Sequence, residues 1–394
     1  MTIADKISSS IENSSWIRKM FEEGNRRKKV YGAENVYDFS IGNPNLEPPK
    51  RFKEVLSDLI NDPTPGLHGY MSNAGFDSTR QAVAEYLNKT NLKQFTKEEI
   101  VMTAGAGGGC NVVFKTILNP KDEVIIPSPF FFEYSSWLDN HQGVPVIVPT
   151  KPDFQLDCEA ISNAITERTR AVLINSPNNP SGKIYTEGEI TELVGVLTSH
   201  SKKKGMSIYL ISDEPYRKIV YDGNSVPSIL DSYNESFVIS SFSKDLSLAG
   251  ERIGYIAANP DIIDRDIVMQ GIVLSNRVLG YTNASALMQR AVALLMEESV
   301  DISFYKKNRD LLCDGLSSFG YDLRKPEGAF YLFPKTPIED DVSFVKALQE
   351  ENILTVPGQG FSCPGHFRIS YCVSPTTIEG SLPGFERVMK KYRR

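Results

Sequence analysis

The sequence is poor in cysteine, and its cysteines are not arranged to build a site. The five cysteines are scattered and include no Cys-x-x-Cys pair, which argues against a disulfide framework and against a zinc site, so no metal is expected. No apolar run reaches the roughly 18 residues of a membrane-spanning helix. The N-terminal stretch MTIADKISSS lacks a charged region followed by an apolar run, so no secretory signal is expected. These absences predict a protein of the reducing cytoplasm.

An excess of basic residues is also absent. The chain has 43 Lys and Arg against 49 Asp and Glu, for a net charge of −6, whereas a nucleic-acid-binding protein carries a basic face. The nearest thing to a basic cluster is RRKK at residues 26–29, which we interpret as a solvated helix end. No repeat of fixed period and no low-complexity tract is present. The 394 residues, 41% of them apolar, suit one large domain and a smaller one.

Seven short apolar runs alternate with helical stretches between about residues 100 and 260. Because the runs do not alternate with polar residues, they indicate strands buried on both faces. Residues 187–204 carry apolar side chains at helical spacing. The pattern predicts an α/β fold whose mostly parallel seven-stranded sheet is sandwiched by helices. The predicted strands lie in residues 99–105, 123–128, 144–149, 171–176, 207–213, 236–242 and 252–258.

The pattern changes after about residue 282. Residues 285–320 are predicted to be one long helical stretch, followed by short strands within 328–334 and 366–373. The segment around Phe39 is assigned to the same part of the molecule, because little before it resembles a sheet strand. We therefore expect a large domain of residues 46–285 and a smaller α+β domain of residues 1–45 and 286–394.

Polar segments follow four of the predicted strands. They are AGAGGGCN, SPNNPSG, DEPY and SFSK. The carboxyl ends of parallel strands meet at one edge of a sheet, where open α/β sheets bind their ligands. A plain loop is the simpler interpretation of any single segment, but the four together predict a ligand site.

The glycine-rich segment Gly105–Gly109 opens a predicted helix. Backbone N–H groups at a helix start bind phosphate, and glycine lets the anion approach closely. The segment is not a dinucleotide fingerprint, because Cys110 stands where the last glycine is required, and no Gly-Lys-Ser/Thr follows as in a Walker A loop. A nicotinamide oxidoreductase is therefore disfavoured.

Asp213 and Lys244 are the candidates for chemistry. Asp213 closes a buried strand and needs a partner, either a helix start that it caps or a cationic ligand nitrogen. Lys244 is flanked by Ser241 and Ser243, with Arg252 eight residues later. The hydroxyls and the arginine suggest a phosphate, and a lysine among cations and dipoles can have a lowered pKa and attack carbonyl groups.

Taken together, these motifs and a late His-Phe-Arg-Ile-Ser resemble the class I/II pyridoxal-phosphate aminotransferases of fold type I, which are aspartate aminotransferase-like. The resemblance extends from about Phe39 to Tyr371, with the motifs in the family's order. It implies a homodimeric enzyme that moves an amino group between an α-amino acid and a 2-oxo acid by a ping-pong mechanism. It also implies pyridoxal 5′-phosphate as the cofactor, bound by the large domain.

The resemblance implies roles for single residues. Lys244 would bond to the cofactor aldehyde and then move the proton at the substrate Cα, while Asp213 would keep the pyridine nitrogen protonated. Arg368 would clamp the substrate α-carboxylate, helped by the backbone at Gly42 and by Asn179. Asn179 and the catalytic Tyr216 would contact the phenolic oxygen of the cofactor, and Phe131 rather than Phe130 would stack on its ring. Tyr70 would reach the phosphate of the cofactor in the neighbouring subunit. The residues implied at the phosphate of the same subunit are Gly105, Ala106, Gly107, Ser241, Ser243 and Arg252.

The sequence departs from the dicarboxylate-specific branch of the family. That branch has an arginine before the segment equivalent to VLSNRVLGYT, but here Gly271 lies near the expected place and Arg277 is displaced. Aspartate, alanine and aromatic amino acids therefore all stay open as substrates.

Two other functions use the same motifs. A β-lyase or decarboxylase would share Lys244, Asp213 and Asn179, so the sequence does not separate them from an aminotransferase. A non-catalytic, cofactor-sensing regulator would normally carry a basic helix-turn-helix domain, for which the 40 N-terminal residues are too short.

Overall fold

The computed structural model describes residues 2–12 and 16–392. No helix in these two ranges is long and apolar enough to cross a membrane. The strands are β1 Tyr37–Asp38, β2 Ile100–Thr103, β3 Glu123–Ser128, β4 Val144–Pro149, β5 Thr169–Asn175, β6 Tyr209–Asp213, β7 Ser236–Ser241, β8 Gly254–Ala258, β9 Tyr331–Leu332, β10 Ile353–Leu354, β11 Val356–Pro357 and β12 Phe367–Ser370.

The helices surround these strands. They are α1 Asp5–Glu12, α2 Trp16–Tyr31, α3 Lys50–Asn61, α4 Asp77–Thr90, α5 Gly105–Ile117, α6 Glu133–Asn140, α7 Cys158–Ala164, α8 Glu187–Lys204, α9 Ile229–Ser232, α10 Arg265–Val278, α11 Ala286–Ala293, α12 Ile302–Phe319, α13 Asp341–Glu350 and α14 Pro375–Tyr392.

The seven predicted strands form one sheet in the order β2-β8-β7-β6-β5-β3-β4. Strand β8 runs antiparallel to both of its neighbours, and the other pairings are parallel. Successive side chains of a strand point to opposite faces, and those of β5 enter two different apolar cores, Val172 one and Leu173 the other. The α/β fold with a mostly parallel seven-stranded sheet is confirmed.

The expectation that every strand is buried on both faces is wrong for β4. This strand pairs only with β3 in the sheet order, so it forms an edge. Its Val144 and Ile147 are 42% and 40% exposed. An apolar run shows that a strand forms, but its place in the sheet decides how much of the strand is covered.

A third core lies in the smaller part of the molecule. It joins Phe39 to side chains from Val300 onward and surrounds two small sheets, β1-β10 and β11-β12-β9. The predicted division at residues 45 and 285 stays a prediction. Met296 belongs to a core of the large sheet, and Val300 belongs to the third core. The packing therefore favours a second domain boundary between these two residues.

The single helical stretch predicted for residues 285–320 is wrong in one respect. The structure has two helices, α11 and α12, separated by residues 294–301. Asp301 ends this connection, and its carboxylate accepts a hydrogen bond from the backbone N–H of Ser303 at the start of α12. An N-cap of this kind begins a new helix, so the helical pattern of the sequence continues across a real break.

Two isoleucines of the large sheet should differ in their effect on stability. Ile211 of β6 is fully buried, whereas Ile147 of β4 is 40% exposed. We expect Ile211→Ala to lower the free energy of unfolding by about 2–5 kcal/mol, because the surrounding side chains cannot close the cavity. Ile147→Ala should cost less than about 1 kcal/mol. Urea unfolding followed by circular dichroism measures both, and equal losses would contradict this account of the sheet.

Candidate active site

The predicted strand ends converge on one cavity of about 350 Å³. The strand register places Asn175 beside Asp213, and Ser241 and Thr103 both beside Gly254. Every predicted site residue except Gly105 and Tyr70 lines the cavity: Gly42, Ala106, Gly107, Phe131, Asn179, Asp213, Tyr216, Ser241, Ser243, Lys244, Arg252 and Arg368. The predicted residues that form this one site are up to 326 positions apart in the chain, from Gly42 to Arg368.

One end of the cavity is built for an anion. The first residue of α5, Gly105, has φ +74°, and a Cβ there would lie 2.6 Å from Nη2 of Arg252. The guanidinium is held by a 2.8 Å hydrogen bond from its Nη1 to the carbonyl of Ala249. The start of a helix, a guanidinium and the hydroxyls of Ser241 and Ser243 thus face the same space. This set of donors fits a phosphate group.

Asp213 lies buried at the centre of the site. The hydroxyl of Tyr134 donates a 2.5 Å hydrogen bond to its Oδ2, while its Oδ1 is buried and has no partner among the described residues. Burial raises the pKa of Asp213 to about 7, although the Tyr134 hydrogen bond opposes this shift. An unpaired buried carboxylate is costly, so this oxygen fits a cationic nitrogen such as a protonated pyridine.

A second asparagine, Asn175, fixes the strand ends relative to each other. Its Nδ2 donates to the backbone carbonyl of Asp213 at 2.7 Å, and its Oδ1 accepts from the backbone N–H of Asn179 at 2.7 Å. The sequence analysis did not select Asn175, although its place as the last residue of a buried strand was a usable signal. A polar residue buried there must find hydrogen-bond partners.

Lys244 reaches into the cavity from the segment after β7. Its Nζ donates a 2.7 Å hydrogen bond to the carbonyl of Gly42. Burial lowers the pKa of Lys244 to about 8; the positive charges of Arg368 and Arg252 lower it further, while Cys372 and Asp213 oppose the shift. The amine is therefore unprotonated more often near neutral pH than an ordinary lysine, which suits a nucleophile.

Arg368 lies buried on the other side of the cavity. Its Nη1 donates to Oδ1 of Asn179 at 3.0 Å and its Nη2 to the carbonyl of Ser40 at 2.6 Å, whereas its buried Nε has no partner among the described residues. The guanidinium lies 4.7 Å from the ring centre of Tyr331. A planar, immobilised fork with a free donor is suited to a carboxylate.

Tyr331 is a cavity residue that the sequence analysis missed. Its hydroxyl lies 2.7 Å from that of Tyr216, and a Cβ at Gly42 would lie 1.9 Å from the same hydroxyl oxygen. Only glycine fits at position 42, because any larger residue would place its Cβ against the hydroxyl of Tyr331. A strand around Tyr331 was predicted. The contact of Tyr331 with Gly42, 289 positions earlier, cannot be predicted from the local sequence of either residue.

The segment that begins at Phe131 and continues into helix α6 supplies an aromatic wall. Phe131 lines the cavity and makes edge-to-face contacts with Tyr134 and Trp137 at 5.7 and 5.9 Å, whereas Phe130 is buried in a core of the large sheet. The structure thus places Phe131, and not Phe130, beside the site. The sequence analysis also missed further lining residues, namely Ile17, Ile41, Glu133, Tyr134, Trp137, Pro215 and Ala249.

Tyr70, which has an expected role, and Arg277 and Gly271, which were compared with the dicarboxylate-specific branch, do not line the cavity. Tyr70 is 94% exposed. Arg277, on α10, lines a different cavity together with Asn73, Arg80 and Arg265. Gly271 faces the side chain of Thr116.

An α/β fold with a buried lysine, an unpaired buried carboxylate and a phosphate-binding helix start at one sheet edge is typical of pyridoxal-phosphate enzymes of fold type I. The family model described as "Aminotransferase class I and II" matches residues 34–382. The chain belongs to this family. It is therefore an aminotransferase whose substrates are amino acids and oxo acids, and members of the family use pyridoxal phosphate.

Individual relatives agree with this assignment. The chain is 34% identical to a probable aspartate/prephenate aminotransferase of Aquifex aeolicus, over 90% of this chain and 91% of the relative. It is 29% identical to aromatic-amino-acid aminotransferase 2 of Thermococcus litoralis over the whole of both chains. Among solved structures it is similar to an amino transferase from Eubacterium rectale, with a TM-score of 0.97, 40% identity and full coverage of both chains. It is also similar to an aspartate aminotransferase from Thermus thermophilus, with a TM-score of 0.87, 27% identity and coverage of 98% and 100%.

The lowered pKa of Lys244 has a measurable consequence. An amine attacks an aldehyde only when unprotonated, so the rate at which pyridoxal phosphate attaches to Lys244 should rise roughly tenfold from pH 7 to pH 9 and level off above the pKa of about 8. Stopped-flow absorbance with cofactor-free protein measures this rate. A lysine with an ordinary pKa near 10.4 would instead give a rate that keeps rising to about pH 10, which would contradict the shift.

Proposed function

We propose that this aminotransferase holds pyridoxal phosphate through Lys244, Asp213 and Arg252 and binds the substrate α-carboxylate through Arg368. The observation that carries the proposal is the unpartnered Oδ1 of Asp213, buried in the same cavity as a lysine amine of lowered pKa. The cofactor, when bound, supplies an aldehyde and an electron-withdrawing ring. The protein must supply position, charge and a proton carrier.

Each residue has a physical task in this arrangement. Asp213 keeps a ring nitrogen protonated, because its own buried oxygen is stabilised by that positive charge. Tyr216 and Asn179 hold the phenolic oxygen, and Phe131 packs against the ring. The phosphate is held by the hydroxyls of Ser241 and Ser243, the guanidinium of Arg252 and the backbone at Gly105, Ala106 and Gly107.

Lys244 also serves as the proton carrier. Its Nζ, which lies in the cavity beside the carbonyl of Gly42, would take up the proton of the substrate Cα and hold it as an ammonium group until the proton is returned to the reacting molecule. A pKa of about 8 suits this task, because a general acid–base works best when its pKa lies near the operating pH. Arg368 orients the substrate so that the Cα lies next to this amine.

We further propose that the enzyme is a homodimer whose partner contributes Tyr70 to the cofactor phosphate. Tyr70 is almost fully exposed in the single chain, and the adjacent segment is joined to α10 by a hydrogen bond from Asn276 Nδ2 to the carbonyl of Asn73. On and next to α10 lies a stripe of exposed apolar side chains, namely Ile263, Ile267, Leu274 and Val278. Ile267, Leu274 and Val278 are spaced by seven and four residues, which places them on one side of the helix, and such a row of apolar side chains favours a protein interface. The cytoplasmic location expected from the sequence stays a prediction.

Removal of the amine should abolish the reaction. Lys244→Ala should lower kcat by at least about 10³-fold while circular dichroism stays unchanged, because general acid–base and covalent catalysis are lost together. Borohydride should fix the cofactor on Lys244 of the wild-type protein and give no adduct with the variant. The exposed-surface variant Lys89→Ala is the matched control, because Lys89 lies outside the cavity.

The half-reactions separate an aminotransferase from a β-lyase or decarboxylase. An amino acid alone should convert the cofactor absorbance to that of its amine form, and a 2-oxo acid should restore it. Pyruvate and ammonia, or carbon dioxide, released without that conversion would contradict the proposal, as would near-normal turnover of the Lys244→Ala protein.

The dimer is tested through Tyr70. A hydrogen bond to a charged group contributes about 1.5–3 kcal/mol, so Tyr70→Phe should weaken cofactor affinity about tenfold or more without changing the mass measured by analytical ultracentrifugation. Tyr31→Phe, which changes another exposed tyrosine, should leave the affinity unaltered. A monomeric wild-type protein, or unchanged affinity in Tyr70→Phe, would count against this part of the proposal.

A further inference from the structure

Glu133 is an acidic side chain in the wall of the active-site cavity. It is the first residue of α6, where the helix dipole favours a negative charge. That location alone would explain an exposed, solvated carboxylate. The Oε2 of Glu133 is instead buried and has no hydrogen-bond partner among the described residues, so the helix start does not account for its position.

The nearest charge does not satisfy this oxygen either. Burial raises the pKa of Glu133, and its own backbone N–H and the positive charge of Arg368 oppose this shift. The two side chains nevertheless form no ion pair, because Arg368 donates to Asn179 and to the carbonyl of Ser40. A buried acceptor left in this state is costly unless another molecule supplies the donor.

Among the described residues that line the cavity, no further cation is available for a substrate side chain. The lining also includes the apolar and aromatic side chains of Ile17, Ile41 and Trp137. At Gly107 the indole ring of Trp137 comes within 3.1 Å of the position that a Cβ would take, so that part of the wall is filled. The cationic residues that line the cavity, Lys244, Arg252 and Arg368, already have tasks in the proposed function.

We propose that Glu133 contacts the side chain of the amino-acid substrate and selects one that ends in an N–H or O–H donor over one that ends in a carboxylate. This inference rests on the proposed function, which places the α-carboxylate on Arg368. A donor would satisfy the buried oxygen, whereas a second carboxylate would be repelled by it. The stem of such a side chain would pass the apolar surface of Ile17, Ile41 and Trp137.

Glutamine and glutamate test the proposal, because they differ only in a terminal amide against a carboxylate. Stopped-flow absorbance measures how fast each amino acid alone converts the bound cofactor to its amine form. The observed rate constant is divided by the concentration of that amino acid to give a second-order rate constant. The wild-type enzyme should react at least tenfold faster with glutamine. In Glu133→Gln the ratio should fall at least tenfold, mainly because the reaction with glutamate becomes faster.

Asp139→Asn is the matched control. It also neutralises one carboxylate of α6, but Asp139 is exposed, pairs with Lys6 and lies outside the cavity. Its glutamine-to-glutamate ratio should equal that of the wild-type enzyme. A shift of the same size in this variant would mean that net charge near α6, and not contact with Glu133, sets the preference, which would overturn the inference.

Two further results would overturn the inference and leave the proposed function intact. One is a wild-type preference for glutamate, as a cation from the partner subunit would produce. The other is an unchanged ratio in Glu133→Gln, provided that borohydride still fixes the cofactor on Lys244 in both proteins. A wild-type protein that forms no such adduct would instead contradict the proposed function itself.

Discussion

The site depends on the burial of one carboxylate, that of Asp213, at the end of the central strand β6. Desolvation makes the ionised form expensive, and one hydrogen bond from Tyr134 offsets only part of that cost. The remaining oxygen has no hydrogen-bond partner among the described residues, and a positively charged group of a bound molecule would satisfy it. The same desolvation lowers the pKa of Lys244. Burial in one site thus favours a positive charge beside the carboxylate of Asp213 and makes the amine of Lys244 a better nucleophile.

Much of this could be predicted from the sequence, because the relevant signals are local. Buried parallel strands are continuous apolar runs, and their carboxyl ends meet at one edge, so polar residues directly after the strands, such as Asp213 and Lys244, fall into one site. The same rule could have selected Asn175. Where a strand lies in the sheet is not a local property, and the exposure of β4 was therefore not predicted. The break before α12 depends on a single capping residue, Asp301.

The residues that sequence reasoning missed share another cause. Ile17 lies in α2, Glu133 and Trp137 lie in α6 and Tyr331 lies in β9. None follows a strand of the large sheet directly, and each reaches the cavity because separate parts of the chain pack together. The close fit of Tyr331 against Gly42 joins positions 289 residues apart. The chemistry common to the family is therefore carried by strand ends, whereas much of the substrate-facing wall is built by tertiary packing.

This division explains why family membership and substrate preference require separate arguments. The relatives have names that include aspartate, prephenate and aromatic amino acids, so similar chains are named for different amino-acid substrates. In the proposed function, the strand ends of the large sheet hold the cofactor, and Arg368 of β12 in a small sheet binds the α-carboxylate. Discrimination among amino acids must then come from the wall, where a buried polar group left unpaired penalises the wrong side chain more strongly than an apolar surface does. In this chain Glu133 lines the cavity, and its buried Oε2 has no partner among the described residues; the proposed role of this carboxylate is to disfavour a dicarboxylic substrate.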